Sequence, residues 1–355
     1  MTTSPHDSHR PPETRRSRRK GNRAEEGARE VPLVEKPQFS TYYGRPVVKA
    51  PPWGDEIAAY LFLGGLAGGS SLLAVGARWT DRPLLRRNAR LTALGAVGLG
   101  TAALIHDLGR PERFLYMLRT FKPTSPMSMG TWLLSSFSTA AAVTAAVEMD
   151  RLTAYRLPLG PARRVLRVCE SPAEVGTTLL AAPLASYTGA LLADTAVPTW
   201  NAGRDELPFL FASSAALAAS GAALVSTPPE QTQPARALSA AAAIGEVASM
   251  KIMKKRMHPA EAEPLEDGAP GTMLRWAERL TLAGTAGSVL LGGRRPTAVL
   301  SGLLLLGGSA LTRVGVLRAG ISSAEDPRHT IEPQKDRLER RRAQGVVDDS
   351  ITTVG

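Results

Sequence analysis

Eight stretches of mostly apolar and small residues recur along this chain of 355 residues, at about 57–77, 91–105, 129–147, 173–192, 207–226, 235–250, 274–291 and 296–317. Roughly 17–25 such residues are what a helix needs to cross a hydrocarbon core about 30 Å thick. Lipid offers no partner for backbone N–H and C=O groups, so spans of this length fold as helices that satisfy their own backbone. The second and sixth stretches are short and the seventh begins with charges, so the pattern predicts seven or eight spans. A soluble bundle buries two or three such runs. Eight in series, with short polar connections, describe an all-α integral membrane protein of about eight transmembrane helices in a bundle, multi-pass in the cell membrane. The mean hydropathy of -0.08 hides this, because arginine-rich ends dilute the middle. The expected organisation is a disordered basic arm over 1–49, a transmembrane domain over 50–319 and a polar tail over 320–355. Trp53 reads as an interfacial aromatic where the arm meets the membrane.

What the chain lacks narrows its chemistry. "RRSRRK" in the arm is followed by no apolar run close enough for a twin-arginine signal, and the late first span is unlike a cleavable signal peptide. Cys169 is the single cysteine, which excludes an intrachain disulfide and an iron–sulfur cluster held by this chain. The histidines are His6, His9, His106, His258 and His329. Only His106 falls at a helix end within a membrane, so two axial haem ligands are not available and no haem is expected. No metal-ligand spacing, nucleophile arrangement or phosphate-binding glycine loop is present; "GGLAGGSS" lacks the strand and lysine such a loop needs. The net charge of +11 resides in loops and tails, where anionic lipid headgroups rather than nucleic acid account for it.

Helices that span in series alternate in direction. The start of the first helix, the end of the second (His106, Asp107), the start of the third (Ser125 to Trp132) and the end of the fourth (beyond Tyr187) therefore share one face with the arm, and Tyr60 belongs to it. Basic residues populate both faces, Arg110, Arg113, Arg119, Lys122, Lys251, Lys254, Lys255 and Arg256 against Arg78, Arg82, Arg86, Arg87, Arg90, Arg151, Arg156, Arg163, Arg164 and Arg167. The positive-inside rule consequently leaves orientation open.

One segment, "HDLGRPERFLYMLRTFKPTSPMSMGTW", is charged and proline-bearing between two apolar runs. His106 and Asp107 point about 100° apart on a helix and can line one pocket wall without touching. Two readings stand: the pair caps and solvates the second helix, or it handles protons, as a histidine beside a carboxylate can near neutral pH. Arg113, Arg119 and Lys122 alternate with Phe114, Leu115, Tyr116, Met117, Leu118 and Phe121, the pattern of a short amphipathic helix at the interface or of a ledge for a soluble partner. Pro123 and Pro126 stiffen the entry to the third span, with Ser125 or Ser128 as N-cap. Gly64, Gly65, Gly68 and Gly69 read as close helix packing. Tyr187 places a phenol in the membrane, for which a quinone carbonyl would be an acceptor and interfacial belting the plainer account. Glu174 and Glu246 are intramembrane carboxylates that could carry protons, and Arg313 a countercharge; structural pairing is the better supported role for all three.

"YLFLGGLAGG", the segment above, "SYTGALLADTAVPTWN" with "LPFLFASSAALAASGAAL" after it, and the late "AERLTLAG" follow one another between Trp53 and Leu317. In that order they resemble the NrfD/PsrC family, polysulfide-reductase-type membrane anchor subunits of molybdoenzyme complexes. The resemblance implies an eight-helix protein without haem or bound cluster. It would exchange electrons between menaquinone or another quinone and an iron–sulfur subunit, ferredoxin-like with four clusters, which serves a molybdopterin catalytic subunit. It also implies a quinone near the face that meets the cluster subunit, with ligands from helices one and four, here Tyr60 and Tyr187. Tyr60 stands where some members have histidine, and Ile57 where some have asparagine. His106 and Asp107 are then expected to supply the proton handling, and Arg110, Arg113, Arg119, Lys122, Ser125 and Pro126 the docking ledge. The alternatives are a secondary transporter, to which eight spans with buried charges would also be suited, and a purely structural anchor.

Overall fold

The computed structural model describes residues 46–345, and its regular elements are all helical. The order is α1 (Asp55–Trp79), α2 (Pro83–Asp107), α3 (Glu112–Leu118), α4 (Pro126–Leu152), α5 (Ala162–Ala193), α6 (Pro198–Ala202), α7 (Leu207–Ser226), α8 (Gln233–Arg256), α9 (Pro259–Glu266), α10 (Gly268–Leu291), α11 (Arg295–Glu325) and α12 (Arg328–Ala343). The expected arm lies, up to residue 45, outside the described residues. The polar segment after 320 holds the end of α11 and all of α12, which seats His329 and Pro333 as its buried residues.

All eight apolar stretches are helices, and six of the long helices, α1, α2, α4, α5, α7 and α11, are long and apolar enough to cross a membrane. The two others are α8 and α10, which correspond to the sixth and seventh stretches. Both are 24 residues long, so length is not their deficit; Arg236, Glu246, Lys251, Lys254 and Lys255 on one and Arg275, Glu278 and Arg279 on the other lower their hydropathy.

α1, α2, α4 and α5 pack as one group and α7, α8, α10 and α11 as another, with α7 against both α1 and α5. The glycines of α1 pack helices, as the sequence suggested. A Cβ on Gly68 would come within 2.7 Å of the Ala181 carbonyl oxygen of α5, and one on Gly69 would collide with the backbone of Ala215 in α7. Close backbone approach replaces the hydrophobic drive that lipid does not supply.

Two polar assemblies tie the helices. At the end of the first group away from α3, Arg90 is buried and bonds Glu148 at 2.8 Å, Glu170 at 3.1 Å and Glu174 at 3.2 Å. Arg86 and Arg151 add contacts to Glu148 at 3.3 and 3.2 Å, and Arg78 bonds Glu174. Glu174 thus sits in an ionic cluster. Arg313, fully buried, donates to the carbonyls of Leu61 at 2.7 Å and Phe211 at 2.6 Å and to Thr188 Oγ1 at 3.2 Å. It forms no ion pair within 4 Å among the described residues; carbonyls, a hydroxyl and the Phe211 ring 4.6 Å away solvate it directly, and the Glu246 carboxyl acts on it as a countercharge at longer range.

Candidate functional site

At the arm-side end of the first helix group lies a cleft of about 100 Å³, built from the ends of α1, α2, α4 and α5 with Met117 of α3. Its polar groups are Tyr60, Asp107, Thr131 and Tyr187; Trp53, Ile57, Leu61, Leu104, Leu108, Met127, Leu191 and Leu192 make the rest of it apolar. Helix direction explains the assembly, since α1 and α4 begin at this end while α2 and α5 finish there.

Each polar residue is held differently. Tyr60 is 5% exposed, and its hydroxyl makes no hydrogen bond among the described residues. The Tyr187 hydroxyl donates to the Pro126 carbonyl at 2.8 Å, so its proton is committed and its lone pairs are free to accept. Gly130, one turn after Pro126 on α4, lies against the Tyr187 ring, which a Cβ there would strike. Asp107 is the last residue of α2 and stands at the mouth. The wall is fixed by Trp53, stacked on Trp200 with ring centroids 5.5 Å apart; the Trp200 indole donates to the Val316 carbonyl at 2.8 Å.

Three of the four expected quinone-site residues, Tyr60, Asp107 and Tyr187, therefore share one cleft. His106 does not line it. Its side chain is 78% exposed and faces Glu56, Nδ1 to Oε1 3.4 Å, because the helical turn that points Asp107 inward points its neighbour out. Trp53 and Gly130 belong to the site although neither stands out from sequence; Trp53 reads there as an interfacial aromatic. The spacing of Pro126 and Gly130, four residues apart on one helix face, is the one local signal of a surface shaped to receive Tyr187.

Beside the cleft, α3 is the expected short helix, and none of its residues is buried. Leu115, Tyr116 and Phe121 are exposed, as are Arg110, Arg113, Arg119 and Lys122. Arg119 lies over the Tyr116 ring at 5.2 Å, and Arg113 donates to the Leu108 carbonyl at 3.2 Å. Ser125 occupies the N-cap position of α4 without a side-chain cap bond. Ser128 braces the ledge instead, donating to the Thr120 carbonyl at 2.8 Å and accepting from the Lys122 amide at 3.0 Å.

Glu246 is remote from this cleft, in the second helix group, where it accepts from Thr281 Oγ1 at 3.2 Å. Among the described residues no group of three or more His, Cys, Asp or Glu could hold a metal ion.

The family model described as "Polysulphide reductase, NrfD" matches residues 46–250, which includes every residue of the cleft and ends near the close of α8. Among individual relatives, the C subunit of the polysulfide reductase of Wolinella succinogenes is 29% identical over 173 residues, 46% of this chain and 54% of the relative. The NrfD homolog of Haemophilus influenzae is 32% identical over 181 residues, 46% of this chain and 54% of the relative. Protein NrfD of Escherichia coli is 35% identical over 156 residues, 39% and 48% respectively. The chain spans about half the length of these relatives.

Proposed function

Because the chain belongs to the polysulphide reductase NrfD family and is a multi-pass membrane protein, we propose that it is the membrane anchor and quinone-reactive subunit of a respiratory oxidoreductase. On this reading it exchanges electrons between menaquinone or another quinone and an iron–sulfur subunit docked on the α3 ledge. A molybdopterin subunit beyond that partner would carry the substrate chemistry. The six apolar helices would be joined by α8 and α10 as the seventh and eighth spans, their charged faces turned inward. The relative from Wolinella succinogenes is named as one part of a polysulfide reductase, which supports a place within a complex.

The observation that carries the proposal is the cleft itself, apolar on its walls with two phenols and a carboxylate converging at one end. A quinone head is a flat apolar ring with two carbonyl acceptors, and its two-electron reduction consumes two protons. Tyr60, its hydroxyl unpaired among the described residues, would donate to one carbonyl. The Tyr187 oxygen, its own proton held by Pro126, would accept from a quinol hydroxyl. Asp107 at the mouth would take the released proton to water, and Trp53 and Leu192 would shield the ring. The exposed arginines and aromatics of the ledge suit a partner with an acidic, partly apolar surface.

A photoreactive azidoquinone tests this. After illumination of the protein in liposomes, label is expected on peptides containing Tyr60, Asp107 or Tyr187, and excess menaquinone analogue should suppress it. Label spread over lipid-facing residues, unaffected by competitor, would leave the structural anchor as the better account.

A further inference from the structure

The two long helices least suited to lipid, α8 and α10, share a polar seam. At its arm-side end Lys251, Lys254, Glu266, Arg275 and Glu278 surround a cavity of about 270 Å³, whose inner wall carries Glu246 and Thr312. Glu246 is 5% exposed. One carboxyl oxygen accepts from Thr281, and the other, Oε1, is buried without a hydrogen-bond partner among the described residues. The Thr312 and Ser214 hydroxyls and the Arg313 guanidinium face the same carboxyl from α11 and α7. Past Glu246, one turn beyond Thr281, the seam continues through Thr285, and the buried Thr285 hydroxyl has no partner among the described residues. It then reaches the Ser239 and Ser288 hydroxyls, 3.0 Å apart.

An ionisable side chain inside a membrane is costly unless paired or hydrated. Glu246 forms no ion pair among the described residues, yet a cavity with charged walls leads from it to the surface. We propose that Glu246 is a proton-exchange site, loaded and unloaded from the arm-side face through water in the α8–α10 cavity. In the unloading step the carboxyl O–H bond breaks, the proton passes to cavity water and on to Glu278 or Glu266 at the mouth, and no electron moves. The carboxylate left behind keeps the Thr281 hydrogen bond and the positive charge of Arg313 nearby. Lys251, Lys254 and Arg275, the other charged groups on the cavity wall, set the potential through which the proton travels. The site lies in the second helix group, so it stands independently of what occupies the tyrosine cleft.

Infrared spectroscopy of the full chain in liposomes tests it. Wild type should show a protonated-carboxyl stretching band that is lost in Glu246→Gln and shifts promptly on transfer to D2O. Met250→Trp, which narrows the cavity wall, should retain the band and slow the shift severalfold. A band that stays unshifted in D2O would mean that the cavity does not serve Glu246. The absence of any band sensitive to Glu246→Gln would mean a permanent carboxylate balancing Arg313, and either result overturns the proposal.

Discussion

At Gly130 the absence of a side chain is what admits the Tyr187 ring to the wall of the cleft. Gly130→Ala should push the phenol aside, break its bond to the Pro126 carbonyl and weaken binding of a quinone analogue about tenfold, equivalent to about 1.4 kcal/mol. An equilibrium titration of the variant checks this, and an unchanged affinity would remove Tyr187 from the site. Tyr60, Asp107 and Tyr187 are legible in the sequence because helix direction alone assigns them to one end of the bundle. Trp53 and Gly130 are not, since their roles depend on the stacking of Trp53, just ahead of α1, on Trp200 of α6 and on the seating of α4 against α5, which no local pattern encodes. His106 fails for a local reason, the turn of about 100° per residue that separates it from Asp107.

Among the elements, α3 is readable from its alternation of arginines and aromatics. Its fastening is not, because Ser128 braces the ledge while Ser125, at the N-cap position, makes no cap bond. α8 and α10 are the weakest apolar stretches, and the structure gives the reason, since Glu246 meets Thr281 and Ser239 meets Ser288 across their shared seam. The joint between α11 and α12 yields a pH prediction. Burial pushes the Asp326 carboxyl up, but bonds from the Arg328 amide at 2.9 Å and Nε at 3.0 Å outweigh it and hold the group below the usual carboxylate range. A depressed carboxylate contributes stability that is fully present above about pH 4 and lost as pH falls through the lowered value. The protection of α12 amides, exchange measured relative to the intrinsic rate at each pH, should therefore fall in acid, and Asp326→Asn should remove that part of the pH dependence.

For the whole molecule, the sequence foretells a helical membrane protein but not how its halves are joined. Arg313 reaches from α11 to α1, α5 and α7 at once, and the Arg90 cluster links α1, α2, α4 and α5 at the opposite end of the first group. Removing one partner of a buried ionic cluster leaves uncompensated charge, so Arg90→Ala should cost about 3 kcal/mol, read as a lowered midpoint of unfolding in detergent. A shift near zero would mean that water already solvates Glu148. These ties hold in register the four helix ends of the cleft that is to receive a quinone. Trp53 forms its wall, so the most direct measurement is the quenching of tryptophan fluorescence on titration with a soluble naphthoquinone, in wild type, Trp53→Phe and a Tyr60→Phe, Tyr187→Phe double variant. A quinone in the cleft predicts saturable quenching, a large loss of its amplitude in Trp53→Phe and a weakened affinity in the tyrosine variant. Non-saturable quenching, or the same curve in all three folded proteins, would contradict it.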